Sequence, residues 1–219
     1  MIEYDRNAIT YEYVTNYIRS ELPKKQGLLG EMEKYAVENS VPIVPPETAA
    51  LLSVLSNSVK PMNILEIGCA IGYSAITLSE GLGIGGQITT LEYNSDMVKI
   101  ARANIEKAGL SDTITVIETD AKDYIKDLNG VYDMIFLDGP KAHYIYMLDD
   151  CVRLLRKGGL LVADNVLYKG MTTTDDLVIR RKITIVRRLR QFITELNSRA
   201  DLKTSILPLG DGMTISVKL

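Results

Sequence analysis

At 219 residues, 46% of them hydrophobic and 24% charged, the chain is long enough to bury a large core and too apolar to stay disordered. A net charge of −3 gives no overall attraction to nucleic acid, and two cysteines with a single histidine exclude a disulfide framework, a cysteine-rich zinc site and a histidine-based metal centre. No apolar run reaches the roughly 20 residues of a membrane span, and the opening MIEYDRNAITYEY lacks the charged and apolar regions of a secretory signal, so a cytoplasmic protein that touches no membrane is expected.

Residues 8–21 and 27–40 have helical spacing, with Leu28, Leu29, Met32, Tyr35 and Ala36 on one side of the second segment. VPIVPPE (41–47) reads as a loop whose Pro45 and Pro46 open a third helix, ETAALLSVLSNS. From Pro61 strands and helices alternate: MNILEIG and a helix over 72–82, QITTLEY and 95–108, TITVIETD and 121–128, YDMIFLD and 141–156. GLLVADN then leads through a loop to a long helix over about 176–198, and LKTSILPL is joined to MTISVKL by the turn Gly210-Asp211-Gly212. This alternation predicts an α/β fold, a doubly wound, mostly parallel sheet of seven strands with one antiparallel strand near an edge. A single domain is expected, with residues 1–58 as a helical cap on an α/β core of 62–219. The cap helices can cover the core, cover the site or pair two subunits.

Open α/β sheets place their ligands at the carboxyl edge, so the polar residues that end each strand are the candidates for chemistry. The first strand runs into ILEIGCAIGYSAITL, where Gly68 and Gly72 flank a tight turn that lets a ligand approach the backbone. It is neither G-x-G-x-x-G nor a P-loop, which disfavours a dinucleotide or a nucleoside triphosphate. Glu66 would sit beneath such a ligand. Glu92 ends the second strand, 20 residues past Gly72, where an acidic side chain accepts hydrogen bonds from ribose hydroxyls. Asp120 and Ala121 end the third, placed to meet an adenine edge. IFLD and LLVADN end in Asp138 and in Asp164-Asn165, hard oxygen donors of the kind that suits Mg²⁺ or Ca²⁺, with Lys141 three residues past the first. A single strand-end Asp is as readily a helix cap. An Asp beside an Asn, following D-x-x-K, asks for more.

The ordered series E-I-G-x-x-x-G, L-E, T-D-A and L-D resembles the class I S-adenosylmethionine-dependent methyltransferases, from about Met62 to the C-terminus. The D-x-x-K and A-D-N pieces narrow the resemblance to the cation-dependent O-methyltransferases, the catechol and caffeoyl-CoA group. It implies that Asp138, Asp164 and Asn165 bind a divalent cation, that Lys141 is the base, and that Glu92 holds the ribose of S-adenosylmethionine. It also implies that Val44 and Ser74 contact the methionine part, that Asp120 and Ala121 frame adenine with Tyr93 beside it, and that members pair as homodimers. Within the group, VPIVPPE after EKYAVENS and DNVLYKG ahead of an Arg-rich helix are most similar to bacterial tRNA 5-hydroxyuridine methyltransferases. Gly139-Pro140 departs from the small residues expected between Asp138 and Lys141, which bears on how Lys141 is aimed.

The chemistry agrees with such a donor set. A cation touching the acceptor hydroxyl lowers its pKa, and a second oxygen on the acceptor completes a chelate. Catechol offers two adjacent oxygens, and so does 5-hydroxyuridine, through its 5-hydroxyl and 4-carbonyl. The expected activity is S-adenosylmethionine- and Mg²⁺-dependent methylation of 5-hydroxyuridine in tRNA; a small phenolic acceptor and a non-catalytic binding protein are the rivals. The segment 177–194 carries six basic residues and no acid, and helical spacing places Arg180, Arg181, Arg187 and Arg188 on one face. That face is either simply solvated or a contact for the phosphates of a tRNA anticodon loop. His143 is expected on the exposed start of a helix, Tyr144 and Tyr146 in helix packing, and Cys69 as a small packed residue.

Overall fold

The computed structural model describes residues 9–219. Three helices come first: α1 (Glu12–Glu21), α2 (Gly27–Asn39) and α3 (Pro46–Val59). The expected start of the first helix at residue 8 lies outside the described residues. Strands and helices then alternate through β1 (Asn63–Ile67), α4 (Tyr73–Ser79), β2 (Gln87–Glu92), α5 (Ser95–Lys107), β3 (Ile114–Glu118), α6 (Ala121–Asp127), β4 (Tyr132–Leu137), α7 (Tyr144–Leu154) and β5 (Leu155–Ala163). The chain closes with α8 (Ile183–Ser198), β6 (Leu202–Leu207) and β7 (Met213–Lys218). The seven strands lie in the order β3-β2-β1-β4-β5-β7-β6, and β7 alone runs opposite to the other six. Among the described residues no helix is long and apolar enough to cross a membrane.

Strand periodicity divides the core between the two faces of the sheet. Ile64, Ile88, Met134, Phe136 and Val162 face α3, α4 and α5, packing with Leu52, Leu78, Val98 and Ala101. Leu65, Ile67, Ile135, Leu137 and Leu161 face α6, α7 and α8, packing with Ile125, Tyr144, Met147, Leu189 and Phe192. Asn94 caps α5 by accepting from the Asp96 and Met97 amides, and Asp120 caps α6 by accepting from Lys122. The α4 helix stops at Ser79, short of the expected residue 82, and Gly81 just beyond it packs too tightly against Asn57 and Ser56 of α3 to carry a side chain.

Two expected boundaries move. The chain passes directly from α7 into β5, so Gly158-Gly159 falls inside the strand rather than before it, at an irregularity where Tyr132 pairs with Leu155 and Met134 with Leu160. Gly158 takes a φ of 72° there, and a side chain at Gly159 would strike the Asp133 carbonyl oxygen at 2.9 Å. The long helix expected over 176–198 begins only at Ile183, preceded by separate 3₁₀ turns at Asp175–Leu177 and Arg180–Lys182. Between those turns the β-branched Val178 and Ile179 are extended, at φ −74° and −81°, as their stiff side chains favour.

Candidate active site

The carboxyl ends of β1 to β5 open into one cavity of about 760 Å³. Its wall carries Gly68, Ala70, Glu92, Tyr93, Asn94, Asp120 and Ala121 on one side and Asp138, Lys141, His143, Asp164 and Asn165 on the other. Asn39 to Pro45, the end of α2 and the loop after it, close over the opening. The N-terminal segment therefore covers the site, and Val44, 4% exposed, is part of that cover. The cover is anchored by a bidentate pair, Arg19 Nε and Nη2 each donating at 2.8 Å to Glu47. The Tyr73 hydroxyl adds a second anchor by donating to Glu33 of α2.

Of the residues expected to meet the cofactor, Gly68, Glu92, Tyr93, Asp120 and Ala121 share the cavity wall, whereas Glu66, Gly72 and Ser74 lie behind it. Gly68 has a φ of 92°, and a Cβ there would meet the Asp138 carbonyl oxygen at 2.7 Å and Gly139 Cα at 2.8 Å. Gly68 is therefore what lets the first loop lie directly against the end of β4. Glu92 holds the loop from the other side, with Oε2 accepting from Ala70 N at 3.0 Å and Oε1 from Tyr93 N and Asn94 N at 3.0 and 2.9 Å. Tyr93 is 68% exposed, its ring free to lie along a ligand. Glu66 is fully buried, with Oε2 accepting from Thr90 and Oε1 left without a well-formed partner. Burial pushes its carboxyl up to about 7, against the pull of the Ser74 and Thr90 hydroxyls, with the charges of Asp138 and Glu92 adding to the rise. Ser74 lies beside Glu66, off the cavity wall, and its hydroxyl acts on the Glu66 carboxyl. The glycine turn with Glu92 and Asp120 on the cavity wall fits a polar ligand seated against them.

Asp138 and Asp164 end adjacent parallel strands. Lys141 Nζ donates to Asp138 Oδ1 at 2.9 Å and to its carbonyl oxygen at 3.3 Å, so Pro140 aims the lysine straight back at the strand end. Asp164 is 1% exposed and accepts from the Asn165 amide at 2.6 Å. Burial raises Asp164 to about 7, with the Asp138 charge adding to it, and burial likewise raises Asp138 against the pull of Lys141. Two neighbouring carboxyls, Asp164 buried and Asp138 half-buried, are both raised, and the one ammonium beside them is bonded to Asp138, so the site is short of positive charge. The donor set, two carboxylates and an amide, fits a hard divalent cation with room for water or acceptor oxygens. Among the described residues no group of three or more His, Cys, Asp or Glu side chains is set to hold a metal.

The loop after Asp164 is strained. Asn165, Tyr168 and Lys169 all have positive φ, at 57°, 46° and 56°, and non-glycine residues there cost about 1–3 kcal/mol each. The surroundings hold it. Asp211 accepts from Leu167 N and Tyr168 N through its carbonyl and from Lys169 N through its carboxylate. Arg190 donates to the carbonyls of Thr172 and Met171 and pairs with Asp175. Neither Asp211 nor Arg190 stood out in the sequence, since one reads as hairpin chemistry and the other as part of a basic run.

The basic face needs a correction. Arg180 and Arg181 lie on a 3₁₀ turn ahead of α8, so the single helical face shared with Arg187 and Arg188 does not form as expected. Arg180, Arg181 and Arg187 are exposed, and the Arg188 guanidinium sits over the ring of Tyr146 at 5.0 Å. His143 is half-buried on the cavity wall rather than on the surface. Tyr144 is fully buried, its hydroxyl donating to the carbonyls of Leu137 at 2.9 Å and Asp164 at 3.2 Å, so it ties the two ligand strands together. Cys69 and Cys151 are buried, and burial pushes both thiols up, which makes them inert.

Comparison with known proteins agrees with this arrangement. Residues 20–219 match a family described as O-methyltransferase. Over 222 residues the chain is 29% identical to the catechol O-methyltransferase of Niastella koreensis, covering 96% of this chain and 99% of that one. Over 224 residues it is 27% identical to the caffeoyl-CoA O-methyltransferase of Stellaria longipes, covering 96% and 92%. The O-methyltransferase of Bacillus cereus, solved in complex with SAH, matches with a TM-score of 0.84 at 28% identity, over 94% of this chain and 97% of that one.

Proposed function

Since this chain belongs to the O-methyltransferase family and is an S-adenosylmethionine-dependent enzyme of the catechol and caffeoyl-CoA type, we propose that it works with a divalent cation, Mg²⁺, and methylates 5-hydroxyuridine in tRNA to 5-methoxyuridine. The observation that supports the metal reading is the pair of neighbouring carboxylates on the cavity wall, Asp138 and Asp164, with Lys141 as the cation bonded to Asp138 and the Asn165 amide bonded to Asp164. S-adenosylmethionine supplies the methyl group as a sulfonium, and a bound cation supplies the charge that makes the acceptor hydroxyl ionise. Asp138, Asp164 and Asn165 would hold that cation. Glu92 would hold the ribose, with Asp120, Ala121 and Tyr93 around the adenine. Lys141, 2.9 Å from Asp138 Oδ1, stands where it can receive the acceptor's proton or offset the acceptor's negative charge. The segment 39–45, which lines the cavity, would shield the transfer from water.

The choice of tRNA rests on the rim. The α8 helix packs against the Lys141–His143 turn; Arg187 on that helix and Arg180 and Arg181 on the turn before it are exposed, and Arg188 lies over Tyr146. Bases of an anticodon loop are single-stranded and can be splayed into a pocket while cations hold the flanking phosphates. A small phenolic acceptor is the second reading, supported by the similarity to catechol and caffeoyl-CoA enzymes. We further propose a homodimer, because α1 buries none of its residues and presents Tyr13, Val14 and Tyr17 to solvent. A monomeric mass by light scattering at micromolar concentration would count against it. The decisive test of the acceptor is mass analysis of tRNA nucleosides from cells with and without the gene. Loss of 5-methoxyuridine with accumulation of 5-hydroxyuridine is expected; unchanged nucleosides would hand the first place to the phenolic acceptor.

A further inference from the structure

We propose that the Gly210-Asp211-Gly212 turn is the mould for the loop that carries Asn165, and that Asp211 is a positioning residue for the metal ligands. The hairpin between β6 and β7 closes without Asp211: Leu207 pairs with Met213, and the turn's own bond runs from Gly212 N to Leu209 O at 2.8 Å. The polar groups of Asp211 point the other way. Four successive amides after Asn165 are taken by this turn: Val166 N by the Gly212 carbonyl at 2.9 Å, Leu167 N and Tyr168 N by the Asp211 carbonyl at 3.1 and 3.3 Å, and Lys169 N by the Asp211 carboxylate.

Such a run matters because the same stretch includes Asn165, Tyr168 and Lys169 in left-handed conformations, which are costly for Tyr and Lys and are offset here by these bonds. Gly212 completes the mould. A Cβ there would strike Leu167 Cγ at 2.3 Å, so only glycine lets the loop seat so closely. Asp211 is half-buried and faces the site electrostatically, its charge acting on Asp164 and in turn feeling Lys141. It does not belong to the donor set, and its action on the metal passes through the backbone of residues 166–169. The inference rests on the metal reading above for its binding arm and on the loop geometry alone for its dynamic arm.

The test uses the full-length protein and Mn²⁺ as the probe, titrated by electron paramagnetic resonance, together with amide hydrogen exchange. Asp211→Ala is expected to weaken Mn²⁺ binding by about tenfold or more, on the scale of outer-sphere partners, and to speed exchange of the 166–169 amides. Asp211→Asn keeps an oxygen acceptor for Lys169 N–H without the charge, and is expected to restore both readouts to within about threefold of wild type. An Asp211→Ala protein with wild-type Mn²⁺ affinity and wild-type exchange would overturn the proposal. So would an Asp211→Asn protein that behaves like the alanine variant, since charge rather than moulding would then be at work. Should Asp211→Ala fail to fold, Asp211→Asn decides alone, and its loss of Mn²⁺ binding would be fatal. A wild-type protein that binds no Mn²⁺ would sink the metal reading while leaving the exchange arm to judge the mould.

Discussion

The two halves of the cavity handle the same problem, carboxylates at strand ends, in opposite ways. In the cofactor half the carboxylates on the cavity wall are satisfied by nearby backbone: Glu92 accepts from three amides and Asp120 from the first turn of α6, while Glu66 lies buried behind them. In the acceptor half Asp138 and Asp164 press on one another, share a single lysine, and lead into a loop with three left-handed residues. One half is at rest without its ligand. The other holds left-handed backbone and raised carboxyls in place through its surroundings, which is the kind of outlier that motivates the proposal of chemistry there.

The largest effect should come from breaking the strained half. Asp164→Asn is expected to lower turnover by about a thousandfold or more, the several kcal/mol a cation contributes to a developing oxyanion. The metal-free protein should nonetheless become more stable. The wild-type carboxyl, raised from 3.8 to about 7, keeps its proton in the folded state across that window. Folding therefore weakens as pH rises through it, and the full cost is present above 7. Asparagine has no such cost, so the variant's melting temperature should exceed that of wild type at pH 8 and converge with it near pH 4. A difference that stayed constant with pH would mean that Asp164 is not strained at all.

The satisfied half should respond with the opposite sign. Glu92→Ala is expected to weaken S-adenosylmethionine by about 1.5–3 kcal/mol, the scale of charge-assisted hydrogen bonds. It also strands the Ala70, Tyr93 and Asn94 amides, so the ligand-free protein should lose stability rather than gain it. Calorimetry with unchanged cofactor affinity would place the ribose elsewhere. Outside both halves, Arg181 and Arg188 reversed to Glu should cut methylation of tRNA sharply and reduce its salt dependence by somewhat under one unit for each phosphate no longer neutralised. A small phenolic acceptor should be spared, because Asp138, Asp164 and Lys141 stay in place. Equal losses on both acceptors would assign those arginines to structure, since Arg188 also packs on Tyr146.

How much of this could be read from the chain depends on how local each device is. The strand order's parallel core, the reversed β7 and the strand-end carboxylates were legible, because period-two apolar runs and their polar ends are contiguous in sequence. Asp211 was not, since its partner amide at Lys169 lies 42 residues away and G-D-G alone reads as a hairpin turn. The break before α8 was hidden too: Val178 and Ile179 fit an apolar helical stripe as well as they fit extended backbone. His143 was placed outward because helix spacing ignores the 3₁₀ turn at Lys141–His143, which rotates it onto the cavity wall.

The smallest effect concerns the cover over the satisfied half. Glu47 lies in the first turn of α3, directly after the loop that closes the cavity, and its bidentate bond to Arg19 fixes α1 there. Burial works to raise the Glu47 carboxyl, yet the hydrogen bond and charge of Arg19 overcome it and hold the group below 4.5. A carboxyl lowered on folding stabilises the protein fully above its unfolded value and ceases to do so as pH falls through the folded one. Glu47→Gln should therefore cost stability at pH 7 and cost progressively less below about pH 4. With Arg19 44% exposed, solvent screening limits the loss to about 1 kcal/mol, or a few degrees in Tm. Cofactor affinity should fall only slightly, because Val44 is loosened while Glu92 and the glycine turn are untouched. A variant whose deficit is as large at pH 3.5 as at pH 7 would show that Glu47 acts through packing, and that the cover does not depend on the ion pair.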